Sequence, residues 1–370
     1  MNDYALRITA LQNRLVSEGA ALAILAGTDQ MRYLTGWKEG GHERFVGLFV
    51  PAHGDPTLVV PAMNAAQART TPAGIENVIG WNDETGWHGA ANSAVGTEIA
   101  GDSKIVFVDD ELFSVHLLSL QNLYPGAQFR AIGETMSGLR EIKTEAELAS
   151  MQRAADLIDT IIEESYSALR EGMTELELQG WFLDAFRRCG TQPSFTPTCC
   201  FGANGAMPHH HTGGTKLKSG DVMVIDVGCL SDHYASDITR TVAFRSASDP
   251  DAATIYDLVW KAHTAARAAA MPGVSGEMVD SAARDVIVAA GFGEQFMHRT
   301  GHGIGISTHE PPYIVQGNRK PLKPGMCFSV EPGVYLAGRF GVRIENIVTM
   351  TPNGVKSQNA EPADHLRIVG

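Results

Sequence analysis

The stretch VMVIDVGCLSDHYASDITRTVAF, Val222 to Phe244, sets two carboxylates into strands that are otherwise apolar. Its first part, VMVID, is a β-branched run that ends on Asp226, and Asp237 stands just before a second strand-like run, ITRTVAF. An ionised carboxylate withdrawn from water is costly unless something positive holds it. Two of them in one sheet call for a strong cation.

Around that stretch the sequence repeats itself. A shift of 101 lays ADLID onto YDLVW, so Asp156 meets Asp257, Leu157 meets Leu258, Gly172 meets Gly273 and Gly190 meets Gly291. A shift of 105 lays KLKSGDVMVIDVG (Lys216 to Gly228) onto PLKPGMCFSVEPG (Pro321 to Gly333), and Asp226 falls on Glu331. After a small insertion, Asp237 in SDITRTVAF corresponds to Glu345 in RIENIVTM. Two such halves packed about a pseudo-twofold axis bring four carboxylates together. Oxygen ligands in this number suit hard or borderline divalent ions, and two ions a few ångströms apart need bridging carboxylates to screen their repulsion. TGHGIG adds a nitrogen ligand, His302, among glycines that let the backbone turn closely around an ion. At an offset of 100, His209 of the run GAMPHHH pairs with His309, so each half contributes one imidazole near the shared centre. His210 and His211 lack such a match.

Composition bounds the rest. With 370 residues, 44% of them hydrophobic, the chain can bury a large core and divides into about two domains. The 29 Lys+Arg against 42 Asp+Glu leave a net charge of −13, which argues against nucleic acid or an anionic membrane as partner and for a small substrate. MNDYALRITALQNRL carries no apolar signal core, and runs such as ALAILAG fall far short of the roughly 20 residues of a membrane span. Five cysteines in no paired spacing suggest reduced thiols and a cytoplasmic setting. The first ~135 residues alternate between helix-like and strand-like segments, ALRITALQNRLVSEG, ALAILAG, FVGLFV, TLVV and KIVFVDD, with a hairpin at HGDP. From Glu141 the texture changes to long amphipathic helices opened by capping boxes, Thr144 with Glu147 and Thr174 with Glu177. The expected fold class is α/β (α+β): a small α/β domain over residues 1–135 and a duplicated catalytic domain over residues 140–370.

Asp226 in IDVG, Asp237 in SDITRT, His302 in TGHGIG, Glu331 in VEPG and Glu345 in RIEN together resemble the five-ligand signature of the pita-bread metallopeptidases, the family of methionine aminopeptidase, aminopeptidase P and prolidase. The segment NRLVSEGAALAILAGTDQMRYLTGW resembles the creatinase-type N-terminal domain of the aminopeptidase P and prolidase branch. The resemblance implies two divalent ions, Mn, Co or Zn, with Asp237 and Glu345 bridging both, Asp226 on one, and His302 with Glu331 on the other. It implies hydrolysis of Xaa-Pro bonds in short peptides or dipeptides by a hydroxide shared by the two metals, with Glu331 as general base. His209, His309 and Arg343 match residues that hold the substrate in that family, and a homodimer is implied as well. Tyr313 and Phe201 are expected along the proline pocket; some archaeal-type prolidases carry an arginine at the place of Tyr313, which leaves an aminopeptidase on longer peptides open. Two alternatives on the same fold are a metal-dependent hydrolase or lyase of a small non-peptide compound and a non-catalytic binding protein.

Overall fold

The computed structural model describes residues 3–96 and 104–370, and the chain divides into two compact units, Met1–Arg140 and Glu141–Gly370. Unit one is a six-stranded mixed sheet in the order β4-β3-β2-β1-β5-β6, made of β1 (Ala20–Ala26), β2 (Gly47–Pro51), β3 (Thr57–Pro61), β4 (Asn77–Trp81), β5 (Ile105–Val108) and β6 (Gln128–Ala131). β2 and β3 form the antiparallel hairpin expected at HGDP. The helices are α1 (Asp3–Ser17), α2 (Asp29–Thr35), α3 (Ala65–Ala68), α4 (His88–Val95), α5 (Ser114–Leu123) and α6 (Gly133–Arg140). Leu22, Ile24, Phe49, Val59 and Val106 from the strands pack with Trp87, Ala91 and Leu120.

Unit two is built twice over. In its first half α7 (Glu145–Ala168) and α8 (Glu175–Arg188) precede β7 (Thr198–Phe201), β8 (Val222–Val227), the short pair β9 (Leu230–Ser231) and β10 (Tyr234–Ala235), and β11 (Ile238–Phe244). In its second half α9 (Ala252–Ala269) and α10 (Gly276–Ala289) precede β12 (Gly301–Gly303), β13 (Glu310–Ile314), β14 (Cys327–Val330), β15 (Gly333–Leu336), β16 (Phe340–Arg343), β17 (Asn346–Thr351), β18 (Gly354–Ser357) and β19 (Arg367–Val369). The two main sheets run β19-β11-β8-β7 and β13-β12-β14-β17-β18. The helix ends keep the 101-residue offset seen in the sequence: α7 and α9 stop at Ala168 and Ala269, α8 and α10 at Arg188 and Ala289. Gly172 and Gly273 take positive φ values of 82° and 87° in the matching turns, a conformation that a Cβ disfavours.

Each half has its own core. Ile158, Ile161, Leu178, Phe182 and Phe186 of the first helix pair pack on Met223, Ile225, Val227, Val242 and Phe244, and Ile255, Val259, Val279 and Ile287 of the second pack on Phe328, Val330, Val348 and Met350. Burying one such side chain is worth roughly 1.5–3 kcal/mol. Alternation along β8 sends Met223, Ile225 and Val227 to the helices, so Asp226 projects from the opposite face.

Cross-strand pairing corrects one equivalence. Ile225 faces Arg240 as Val330 faces Asn346, so with Asp226 on Glu331 the partner of Glu345 is Thr239, and Asp237 is the equivalent of Arg343. The insertion inferred from the sequence displaced this match by two residues. Thr239 and Glu345 meet directly, Thr239 Oγ1 donating to Glu345 Oε2 at 2.7 Å and Glu345 N to the Thr239 carbonyl at 3.2 Å. Equivalent residues in contact mark the pseudo-twofold axis, which therefore passes beside the Glu345 carboxylate.

Candidate metal centre

A cavity of about 690 Å³ opens in unit two, within the size range of small-ligand sites. Asp226, Asp237, His302, Glu331 and Glu345 all line it, although they come from β8, the residue before β11, β12, the residue after β14 and the residue before β17. Ligand atoms of Asp226, Asp237 and Glu345 lie within 4.8 Å of one another, as do those of His302, Glu331 and Glu345 and those of Asp237, His302 and His309. Asp237, His302 and Glu345 are each common to two groups, and of these only Asp237 and Glu345 carry the two oxygens with which one side chain can bridge a pair of ions.

Three observations fit this set to cations. Asp226 Oδ1, Asp237 Oδ1 and Glu345 Oε1 are buried with no hydrogen-bond partner, and an unpartnered buried carboxylate oxygen is too costly to persist without a counter-charge. His302 Nδ1 lies 3.1 Å from the Gly303 carbonyl, which assigns the proton to Nδ1. Nε2 then presents a lone pair to Glu331 Oε1 at 3.3 Å and Asp237 Oδ2 at 3.7 Å, three acceptors face to face. Burial keeps that imidazole neutral, its pKa pushed down to about 4. Burial, followed by the charges of Glu345, Asp226 and Glu331, holds the Asp237 carboxyl well above the usual range, and burial with Glu331 and Asp226 does the same to Glu345. A group of four acids and one neutral imidazole has the chemistry of a divalent-ion site.

Around the acids runs a shell of oriented donors. Arg343 is buried and spends its guanidinium on fixed partners: Nη2 on Asp226 Oδ2 at 2.6 Å, Nε on Thr239 Oγ1 at 3.0 Å and Nη1 on Tyr335 Oη at 3.1 Å. Burial opposes its charge, yet Tyr335, Asp226, Glu331 and Glu345 hold its pKa well above the ordinary value. Tyr335 Oη in turn lies 2.7 Å from His298 Nε2, whose Nδ1 donates to the Arg299 carbonyl at 2.7 Å. Ser329 Oγ donates to Glu331 Oε1 at 2.9 Å and accepts from His302 N at 2.9 Å. Such partners fix ligand orientation and raise ligand basicity.

His209 and His309 both line the cavity, and the His309 ring packs edge-on against His302 with centroids 4.0 Å apart. Burial lowers the His309 pKa to about 4. His210 is anchored by Glu175, Nε2 to Oε2 at 2.8 Å. Phe201 departs from expectation: it is buried in the core of the first half because β7 turns it toward α8, and Phe195 lines the cavity instead. Tyr313 is half-buried and carries the Arg299 guanidinium 4.5 Å above its ring. Reading residue types in order along the chain singled out neither Arg299, Tyr335 nor Thr239, because their contacts are made across strands.

The chain is similar to known proteins over nearly its whole length. Residues 149–352 match the model of metallopeptidase family M24, and residues 7–142 match the Creatinase/Prolidase N-terminal domain. The putative dipeptidase YkvY of Bacillus subtilis is 35% identical over 360 residues, 97% of this chain and 98% of that protein. The Xaa-Pro dipeptidase of Lactobacillus helveticus is 34% identical over 356 residues, 95% and 96% of the two chains. A prolidase from Thermococcus sibiricus superposes with a TM-score of 0.93 at 32% identity, covering 100% of both chains. The chain is therefore a member of metallopeptidase family M24, an enzyme of the branch that carries a Creatinase/Prolidase N-terminal domain.

Proposed function

We propose that this enzyme hydrolyses the Xaa-Pro bond of dipeptides or of short peptides at their N-terminus. The observation that carries the reading is the convergence of three unpartnered carboxylate oxygens and one imidazole lone pair on the floor of a peptide-sized cavity. Relatives named Xaa-Pro dipeptidase and prolidase, similar over nearly the whole chain, support the substrate class.

Asp226, Asp237, His302, Glu331 and Glu345 would hold two divalent ions, with Asp237 and Glu345 shared between them. When bound, such ions lower the pKa of water, polarise the scissile carbonyl and neutralise the charge that develops on its oxygen. Glu331 keeps Oε1 on Ser329, and its other oxygen takes the proton of the attacking water and delivers it to the proline nitrogen as the bond breaks. The leaving nitrogen belongs to a tertiary amide, which has no proton of its own. His209 and His309 line the same cavity as the acids and would hold the substrate carbonyl. Arg343 acts through Asp226 as a positioning residue, since its donors are already committed.

Manganese, cobalt and zinc all suit this donor set, and availability selects among them. Five unpaired cysteines, four of them buried and Cys189 exposed, fit a reducing cytoplasm, and the homodimer follows the family resemblance. No helix of the described residues is long and apolar enough to cross a membrane.

Steady-state hydrolysis of Leu-Pro, Ala-Pro-Ala and Leu-Ala by metal-stripped protein, reloaded in parallel with Mn²⁺, Co²⁺ or Zn²⁺, tests the reading. Metal-dependent cleavage of proline substrates but not of Leu-Ala is expected. No cleavage by protein that has taken up metal would transfer the site to a small non-peptide substrate.

A further inference from the structure

We infer that Glu175, which is not among the residues lining the cavity, is a positioning residue for the reaction: its buried carboxylate seats the loop that carries His209 to the cavity wall. The inference rests on the peptidase reading above and adds to it a residue that acts only through another.

Glu175 opens α8, directly after the N-cap Thr174, and its side chain has no exposed surface. A carboxylate taken wholly out of water is costly unless its lone pairs are answered. Four N–H groups answer them here. Oε1 accepts from Phe201 N at 2.8 Å and Asn204 Nδ2 at 2.7 Å, and Oε2 accepts from His210 Nε2 at 2.8 Å and Gly213 N at 2.9 Å. An ionised carboxylate can only accept, which assigns a proton of His210 to Nε2. The N-terminal end of α8 adds a dipole that favours the charge.

The partners of Glu175 show what it holds. Residues 207–215 form no strand, and between the turn that bonds His210 N to the Met207 carbonyl and the return to α8 the chain has few backbone bonds of its own. Its far end is held by the first amides of that helix, Leu176 N on the Gly213 carbonyl and Glu175 N on the Thr215 carbonyl, both at 3.0 Å. The Glu175 side chain fixes the middle, at His210 and Gly213. His209 is the neighbour of that fixed point, and it lines the cavity with the acids.

The second half holds its imidazole by other means. His309 directly precedes β13, where Glu310 pairs with Gly303 in the ladder and Glu310 Oε1 accepts from Lys143 Nζ at 2.6 Å in a buried ion pair. At the 101-residue offset Glu175 falls on Gly276, where a Cβ would come within 2.5 Å of the Tyr313 carbonyl oxygen. No side chain fits there. One histidine is thus seated by a strand and the other by a carboxylate, and a misplacement of about 1 Å in such a group can cost on the order of 10²-fold in rate.

The experiment compares the metal-loaded wild type with Glu175→Gln, His209→Ala and the double variant on Leu-Pro, and follows backbone hydrogen exchange over residues 207–215 in the same proteins. Glu175→Gln keeps the shape but turns one acceptor into a donor against N–H groups already aimed at it. Exchange in the loop should quicken about tenfold or more, the weight of one charged hydrogen bond. The kcat should fall about 10- to 100-fold with metal content unchanged. On the His209→Ala background the same substitution should cost less than about 3-fold, because the group it positions is gone. A full loss on that background overturns the proposal, as does unaltered exchange or an unaltered kcat in Glu175→Gln. A drop in metal content would set Glu175 behind the ions instead of His209 and also overturns it. If Glu175→Gln does not fold, His210→Gln and His210→Phe decide: the first keeps an N–H for the carboxylate and should retain most of the rate, the second should lose about tenfold. Equal losses in that pair would make the imidazole of His210 itself the working group and overturn the positioning role. If the wild type cleaves no proline peptide, it is the peptidase reading that fails, and the exchange comparison by itself decides whether Glu175 seats the loop.

Discussion

The two halves of the catalytic unit share a scaffold and divide the chemistry unequally. Their helices end at the same offset, their glycine turns take the same φ, and their strands pair in the same register. The candidate ligands follow that symmetry only at Asp226 and Glu331. Phe201 faces Met223 as Gly303 faces Phe328, so the first half carries Cys200 where the second carries His302. Cys200 is buried, its thiol pushed up to about 12 by that burial, and does not line the cavity, while the imidazole of His302 does and offers a lone pair. Likewise Asp237 stands where the second half has Arg343, and Thr239 where it has Glu345. Duplication thus supplies the concave frame and two acids by symmetry, Asp226 and Glu331. The remaining candidate ligands and the arginine paired with Asp226 arise from positions where the halves have diverged.

The strongest way to break that comparison is to remove a ligand that lies off the symmetric pair. Asp237→Asn and Glu345→Gln each take away a carboxylate shared between two of the ligand groups, and each should lower kcat/KM by about 10²- to 10³-fold or more, with loss of bound metal. Metal content per chain, read beside the rate, checks this. Retention of two ions with a full rate in either variant would sink the site assignment.

A smaller effect is expected on the axis itself. Thr239 Oγ1 donates to Glu345 Oε2 and accepts from Arg343 Nε, so Thr239→Val removes one orienting contact from each side while nearly preserving volume. Loss of an outer partner of this kind typically costs about 10- to 100-fold in metal affinity or activity. Competition with a chelating dye measures it. An unchanged metal affinity would mean that Glu345 is oriented by its backbone alone.

How much of this arrangement can be read along the chain depends on the range of the signal. The 101- and 105-residue offsets and the capping boxes at Thr144 and Thr174 are local patterns, and each appears where expected, while the five candidate ligands, also read locally, all line one cavity. Those patterns depend on residue type and spacing alone. The partner of Glu345 escaped because an insertion can be placed two residues either way in a sequence, whereas hydrogen-bond register admits one placement. Phe201 was expected at the pocket because aromatic rings suit proline, but alternation along β7 settles which face it takes, and that face is the core. Tyr335 and Ser329 owe their roles to His298 and His302, 37 and 27 residues away, and no linear pattern announces them.

The charge distribution predicts opposite pH responses for the metal-free and the loaded protein. Folding raises the Asp237 and Glu345 carboxyls above their unfolded values, chiefly by burial. Between the ordinary carboxylate range and the raised values, the folded metal-free chain binds more protons than the unfolded chain. The stability contributed by these groups is therefore fully present below the unfolded pKa and is lost as pH rises through the folded pKa. Cations replace those protons, so binding tightens as pH rises and the loaded protein gains where the stripped one loses. Melting temperatures of chelated and reloaded protein across about pH 5 to 8 should diverge with increasing pH. Parallel curves would show that the carboxyls are not protonated in the empty centre.

The smallest effect concerns the scaffold and asks whether its symmetry extends to energy. α8 opens with a complete capping box, Thr174 Oγ1 accepting from Glu177 N at 3.1 Å while Glu177 Oε2 accepts from Thr174 N at 2.7 Å. α10 opens with Ser275 alone, accepting from Met278 N at 3.3 Å, because Met278 stands where the first half has a glutamate. Removing an N-cap costs about 0.5–2 kcal/mol, and the reciprocal bond of the box is also weakened when the threonine's geometry goes. Thr174→Ala should therefore destabilise by more than Ser275→Ala, about 1.5 kcal/mol against about 0.5, in urea unfolding of otherwise identical metal-free protein. Each cap residue also bridges to the loop before the central strand of its half, Thr174 to Lys216 and Ser275 to Pro321, through backbone that alanine retains, so the difference isolates the side-chain bonds. Equal losses would mean that the box adds nothing to the single cap, and the halves would be energetically alike where they are chemically different.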